Sequence, residues 1–95
     1  MRKKIIAGNW KMNKTPSEAK ELAQGLVNAV GQITGCDIVL CPPFTALTTV
    51  ASIIKGSKLA LGAQDMYWEV SGAFTGEIAP AMLLDAGCQY VILGH

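Results

Sequence analysis

Four polar side chains stand where short apolar runs of this sequence end: Asn9 and Lys11 after residues 4–8, Gln64 after residues 59–63, and His95, the single histidine, after residues 90–94. Carboxamide and ammonium groups are hydrogen-bond donors suited to a site where negative charge develops. An imidazole held in place can lend and reclaim a proton. Taken singly, each residue has an ordinary reading as well: a turn asparagine that tolerates left-handed backbone, a surface lysine, a solvated histidine. Their shared position at the ends of apolar runs is what makes them candidates together.

A second chemistry competes for the first of these loops. Residues 8–15 read G-N-W-K-M-N-K-T, one residue away from the phosphate-cradling G-x-x-x-x-G-K-T of nucleotide hydrolases and correctly set between an apolar run and a helical pattern. Three features count against nucleotide binding. Asn13 replaces the second glycine, Trp10 puts bulk where backbone amides must wrap around phosphate, and Cys41 and Gln64 stand where an acidic metal partner is needed.

Other classes are disfavoured by composition. The net charge is +1, with both signs interspersed after Arg2, Lys3 and Lys4, so there is no electrostatic footprint for nucleic acid or an anionic membrane. Cys36, Cys41 and Cys88 are odd in number and lack C-x-x-C spacing, and only His95 could join them on a metal. Neither a disulfide framework nor a metal site is encoded, and reduced, mostly buried thiols are expected. The apolar stretch at residues 5–8 is too short for a secretory signal, and no run approaches the roughly 20 residues that span a bilayer. A soluble, cytoplasmic protein is the expectation.

The elements that must position these residues follow from periodicity. Residues 4–8 predict a strand. Thr15, Pro16, Ser17 and Glu18 then form a capping box with proline at the first helical position, and Leu22, Leu26, Val30 and Ile33 supply a helical stripe stopped by Gly35. Residues 37–41 predict a second strand, ended by Pro42 and Pro43, which cannot donate to a neighbour. Leu47, Val50, Ala51 and Ile54 mark a second helix closed by Gly56, and residues 59–63 a third strand. After a long glycine-bearing loop over 64–79, Pro80 opens a short helix that Gly87 stops, and residues 90–94 predict a fourth strand leading to His95.

Four strands alternating with three helices, the strands nearly continuous in apolar residues, indicate an α/β architecture with a parallel sheet covered by crossover helices. At 95 residues and 51% hydrophobic composition the chain is one domain or part of one. In such folds ligand sites lie at the carboxyl ends of the strands, where Asn9, Lys11, Gln64 and His95 fall.

The loops themselves carry a resemblance. A-G-N-W-K-M-N at residues 7–13, C-P-P-F at 41–44, G-A-Q-D with S-G-A-F-T-G-E in the third loop, and Y-V-I-L-G-H at 90–95 resemble, in order and spacing, the triosephosphate isomerase family. The resemblance runs the whole chain. It implies a (β/α)8 TIM barrel of about 250 residues, of which residues 1–95 form the N-terminal part of a single domain holding the first four strands. It implies interconversion of dihydroxyacetone phosphate and glyceraldehyde 3-phosphate through an enediolate, in glycolysis and gluconeogenesis, without cofactor or metal. Lys11 would face the substrate phosphate and developing oxyanion, Asn9 would donate a hydrogen bond to substrate, and His95 would polarise the carbonyl. The glutamate base, the mobile lid and the phosphate-binding loops are expected in the family's second half.

The resemblance further implies a homodimer. The loop around residues 67–77, otherwise readable as a disordered excursion, becomes an arm into a second subunit with Thr75 near the partner's active site. Gln64 is either satisfied within the core or a support for that interface. A chain holding half a barrel exposes two strand edges and apolar faces. The expected partner is the C-terminal half of the barrel, without which isomerase activity is not expected. The alternative is a non-catalytic assembly module that closes by pairing with another copy.

Overall fold

The computed structural model describes residues 2–95. Strands β1 (Lys4–Asn9), β2 (Cys36–Cys41), β3 (Leu59–Ala63) and β4 (Tyr90–Val91) form one parallel sheet in the order β1-β2-β3-β4. Each crossover steps to the neighbouring position in the same direction. The order never reverses, so the sheet is singly wound, as in half of an eight-stranded barrel, and has no switch point of the doubly wound kind.

Register divides the residues between two faces. Leu40 pairs with Leu61 and Ile38 with Leu59; these side chains join Ala63 and the helices in one apolar cluster. Asn9 pairs with Cys41, Ala7 with Val39 and Gly62 with Tyr90, and these face away from the helices. Burial falls off towards the edges of the sheet. Leu40 and Leu61 are buried, whereas Ile5 and Ile6 on β1 are 56% and 58% exposed, because β1 has a strand on one side only.

Helix α1 (Pro16–Val30) begins at the expected capping box: the Thr15 hydroxyl accepts from the Glu18 amide (3.3 Å), and the Glu18 carboxylate accepts from the Thr15 amide (3.0 Å). Its buried positions differ from the expected stripe. Ala19 and Ala23 face the core, Leu26, Val27 and Val30 are partly buried, and Leu22 and Ile33 are exposed. Small side chains one turn apart let the helix approach the layer beneath closely, with the leucines on its flank. The helix also ends before Gly35. The Gly31 carbonyl is taken by the Lys58 amide at the entry to β3 (2.7 Å), and Gly35, at φ +90°, makes the turn into β2 instead.

Helix α2 (Leu47–Ile54) follows a single 3-10 turn at Phe44–Ala46 that the sequence pattern did not announce, and it buries Leu47, Val50 and Ile54 as expected. Helix α3 (Pro80–Ala86) starts at Pro80 and is closed by Gly87 at φ +106°. Strand β4 is shorter than residues 90–94: pairing covers Gly62–Tyr90 and Ala63–Val91, and one further bond, from the Ile92 amide to the Ala63 carbonyl (2.9 Å), ends the ladder where β3 itself ends.

The capping box gives a pH-dependent prediction. Hydrogen bonds from the Thr15 backbone and then the Thr15 hydroxyl, with Lys14 adding its charge, hold the Glu18 carboxyl below the usual carboxylate range. A depressed folded-state pKa makes this contribution present above the ordinary glutamate pKa and lost as pH falls through the folded value. Thr15→Ala should cost about 1 kcal/mol at neutral pH. The Tm gap between Glu18→Gln and the parent, followed by circular dichroism across a pH series, should close on acidification. A gap unchanged at the acid end would refute the linkage.

Candidate active site at the carboxyl ends of the strands

Because all four strands are parallel, Asn9, Lys11, Gln64 and His95 emerge at one end of the sheet. The loop after β1 is tightly held. Lys11 has φ +56° and Lys14 φ +81°, a left-handed backbone that costs a lysine about 1–2 kcal/mol. Both backbone groups of Trp10 and both of Lys11 find partners. The Trp10 amide donates to the Cys41 carbonyl (3.0 Å) and the Lys11 amide to Asn9 Oδ1 (2.9 Å). Asn13 Nδ2 donates to the Trp10 carbonyl (2.9 Å) and Gln64 Nε2 to the Lys11 carbonyl (2.9 Å). Four bonds worth about 1 kcal/mol each outweigh the strain, and Trp10, buried in the core, anchors the base of the loop.

This bonding counts further against the nucleotide reading. The Trp10 and Lys11 amides that a phosphate cradle would need already face protein acceptors, and the first-turn amide of Glu18 is spent on Thr15. The Lys11 ammonium and the Asn9 carboxamide NH2 remain available, since Asn9 uses its oxygen to hold Lys11. Both are donors, at the end of the sheet where a ligand would sit.

Gln64, left open between core satisfaction and interface support, is satisfied within the chain. Its Nε2 donates to the Cys41 carbonyl (2.8 Å) as well as to that of Lys11, so one amide ties the ends of β3 and β2 to the loop after β1. Gln64→Glu would set carboxylate oxygens against two carbonyls and should destabilise the chain by about 2–3 kcal/mol at neutral pH. Protonation restores one donor, so the loss measured by thermal unfolding should shrink in acid; a pH-independent loss would mean that the two hydrogen bonds are not its source.

His95 is exposed at the same end, beyond β4 and three strand spacings from β1, about 14 Å along an uncurled sheet and less across a curled one. Its side chain makes no hydrogen bond among the described residues, so Asn9, Lys11 and Gln64 are joined directly and His95 only by its place. Thr75 lies apart from them. It is exposed in a tight turn of the long loop, where the Glu77 amide bonds to the Phe74 carbonyl (3.0 Å). That loop is built locally: the Tyr67 and Phe74 rings lie 4.6 Å apart, while Trp68 and Val70 project into solvent, 80% and 84% exposed. At its base, a hydrogen bond to Asp65 and the charge of that carboxyl push Glu77 above the usual carboxylate range.

Sequence reasoning gave Asn13 no role of its own, reading it as a lost glycine and as the end of the first loop motif, although an asparagine four residues after another in a polar loop was a signal that both could brace the backbone between them. The thiols fit their expected role: all three are free, Cys41 and Cys88 are buried, and burial raises the pKa of both, which keeps them protonated and inert. Among the described residues no three His, Cys, Asp or Glu side chains come together as a metal site, and no helix is long and apolar enough to cross a membrane.

The same backbone fold exists in known proteins. The triosephosphate isomerase family model matches residues 4–95. Triosephosphate isomerases of Roseiflexus sp. (strain RS-1) and Carboxydothermus hydrogenoformans are each 55% identical over all 95 residues, which cover 37% and 38% of those proteins. The crystal structure of triosephosphate isomerase from Bartonella henselae superposes with a TM-score of 0.91 at 33% identity, over 99% of this chain and 38% of that one. The chain therefore spans a little over a third of the length of the relatives it matches. A family match across the strands and all three intervening loops, with a backbone that superposes almost throughout, settles the kinship: the chain belongs to the triosephosphate isomerase family.

Proposed function

We propose that residues 1–95 are the N-terminal part of a single TIM-barrel domain, and that the whole protein interconverts dihydroxyacetone phosphate and glyceraldehyde 3-phosphate. The observation that carries this reading is the strained, fully braced Lys11 beside Asn9, at the end of the sheet from which His95 also emerges. A lysine is held in left-handed backbone where the surroundings over-determine it, and such strain concentrates at functional sites.

The roles follow from chemistry. The reaction moves a proton between adjacent carbons through an enediolate whose negative charge spreads over two oxygens. The Lys11 ammonium stabilises that charge and the substrate phosphate, the Asn9 carboxamide NH2 donates to the substrate, and His95 polarises the carbonyl and shuttles a proton between the oxygens. The base that takes the carbon-bound proton belongs, in this reading, to the part of the relatives beyond the matched third. No cofactor or metal is required. The protein acts in the cytoplasm as a homodimer, with Thr75 on the arm at the interface and Gln64 at the arm's root bracing the loop after β1. The exposed edge of β1, with Ile5 and Ile6 uncovered, is closed by the rest of the barrel; a second copy in that place is the competing reading.

A coupled assay of glyceraldehyde 3-phosphate isomerisation tests this, with the chain alone and joined to the remaining sequence of the Roseiflexus sp. (strain RS-1) relative. Turnover by the joined protein and none by the chain alone is expected. A folded joined protein without turnover would overturn the isomerase reading, and a stable, inactive 20-kDa pair that does not accept the remaining sequence would favour the assembly module.

A further inference from the structure

The loop after β1 contains one bracing residue with no role towards substrate. We propose that Asn13 is a positioning residue for Lys11, an inference that rests on the isomerase reading for its catalytic consequence but not for its geometry. The peptide joining Trp10 to Lys11 is gripped from both sides by asparagines: Asn9 Oδ1 accepts its N–H (2.9 Å) and Asn13 Nδ2 donates to its C=O (2.9 Å).

That grip blocks one particular relaxation. Rotating this single peptide by about half a turn would carry the Lys11 φ from +56° into the extended region that a lysine prefers. It would swing the Trp10 carbonyl and the Lys11 amide in opposite directions and break both asparagine bonds at once. Gln64 holds the next carbonyl, that of Lys11, and the Trp10 amide is fixed to Cys41, so neither of these resists the flip directly. Asn9 shares its carboxamide with the substrate, which leaves Asn13 as the device devoted to keeping the peptide, and with it the direction of the lysine stem, in the productive orientation. Asn13 is exposed, and replacing it removes no core packing.

Two replacements separate positioning from space-filling. Asn13→Asp keeps the shape and loses the donor; Asn13→Ala loses both. In the 95-residue chain, hydrogen exchange read by NMR should show the Lys11 amide exchanging at least about tenfold faster in both variants, since the bond to Asn9 goes with the flip. The amides of Val39 and Leu40 should change by less than about twofold. In the joined isomerase, kcat/KM should fall about 10- to 100-fold, mainly through kcat, with the thermal midpoint nearly unmoved. Unchanged Lys11 exchange in both variants would overturn the grip. An Asn13→Asp enzyme with the parent's kcat/KM, beside a parent that turns over, would overturn the positioning role alone. An inactive joined parent would overturn the isomerase reading and this catalytic consequence with it, while the exchange result still decides the geometry.

Discussion

On the proposed isomerase reading, Lys11→Met in the chain joined to the remaining barrel sequence should lower kcat/KM by about a thousandfold while leaving the fold intact. Methionine keeps most of the length and apolar character of the lysine stem and removes its charge. Losing a preorganised donor aimed at developing negative charge costs about 3–4 kcal/mol of transition-state stabilisation in a site closed to water, and about 4 kcal/mol is a factor of a thousand in rate. The backbone should tolerate the change, because the four hydrogen bonds that hold Trp10 and Lys11 are made by backbone groups and by the side chains of Asn9, Asn13 and Gln64, none of them by the lysine side chain.

A companion variant makes the same point in the opposite sense. Glycine at position 11 relieves the left-handed strain, so Lys11→Gly should be equally inactive yet more stable than the parent by up to about 1 kcal/mol. Opposite movement of stability and activity at one residue is the signature of strain maintained for function. Steady-state kinetics and thermal unfolding on the two variants decide the matter. Retention of more than about a tenth of the activity by Lys11→Met, or destabilisation by Lys11→Gly, would remove Lys11 from the centre of the site.

Legibility in the sequence was uneven for physical reasons. Element type was readable because it depends on short-range patterns: the Thr15–Glu18 capping box, the Pro42–Pro43 stop and the Pro80 start all recur in the structure. Which face of α1 is buried was not readable, because it depends on distance to the layer beneath, and Ala19 and Ala23 permit an approach that Leu22 would prevent. The length of β4 depended on where its neighbour β3 ends. Candidate site residues could be named from loop motifs, yet the bonds that fix Lys11 could not. Gln64 is 53 residues away from it, and no local rule connects a carboxamide at the end of one strand to a carbonyl two strands across. The bond from Asn13 to the Trp10 carbonyl was hidden by comparison with a glycine that a different site would have required.

Gly62→Val should unfold the chain or come close to it, and the reason joins the packing of the sheet to the site. On the face turned away from the helices, a Cβ at Gly62 would stand 2.7 Å from Cys41 Sγ, 3.1 Å from Val39 Cγ1 and 3.4 Å from Tyr90 Cβ. Val39 and Cys41 are about 1% exposed, so neither can retreat without moving its own surroundings. Overpacking of this kind costs about 1–3 kcal/mol for small additions, which places Gly62→Ala about 2 kcal/mol below the parent and valine, with two further methyl groups, well beyond it. For a chain of this size 2 kcal/mol is about 8–16 °C in Tm. The nearest obstruction is the Cys41 sulfur, so Cys41→Ala should recover most of the loss in the Gly62→Ala background, giving a coupling of about 1 kcal/mol or more in a double-mutant cycle. The consequence reaches the active loop because Gly62 lies two residues before Gln64 and is packed against Cys41, whose carbonyl accepts from both Gln64 and the Trp10 amide. Any shift of β3 against β2 at this level therefore pulls on both bonds, and the Gly62→Ala enzyme should lose activity in excess of its loss of folded fraction. A Gly62→Ala chain as stable as the parent would mean that β2 and β3 are not pressed together at the carbonyl that holds the lysine loop.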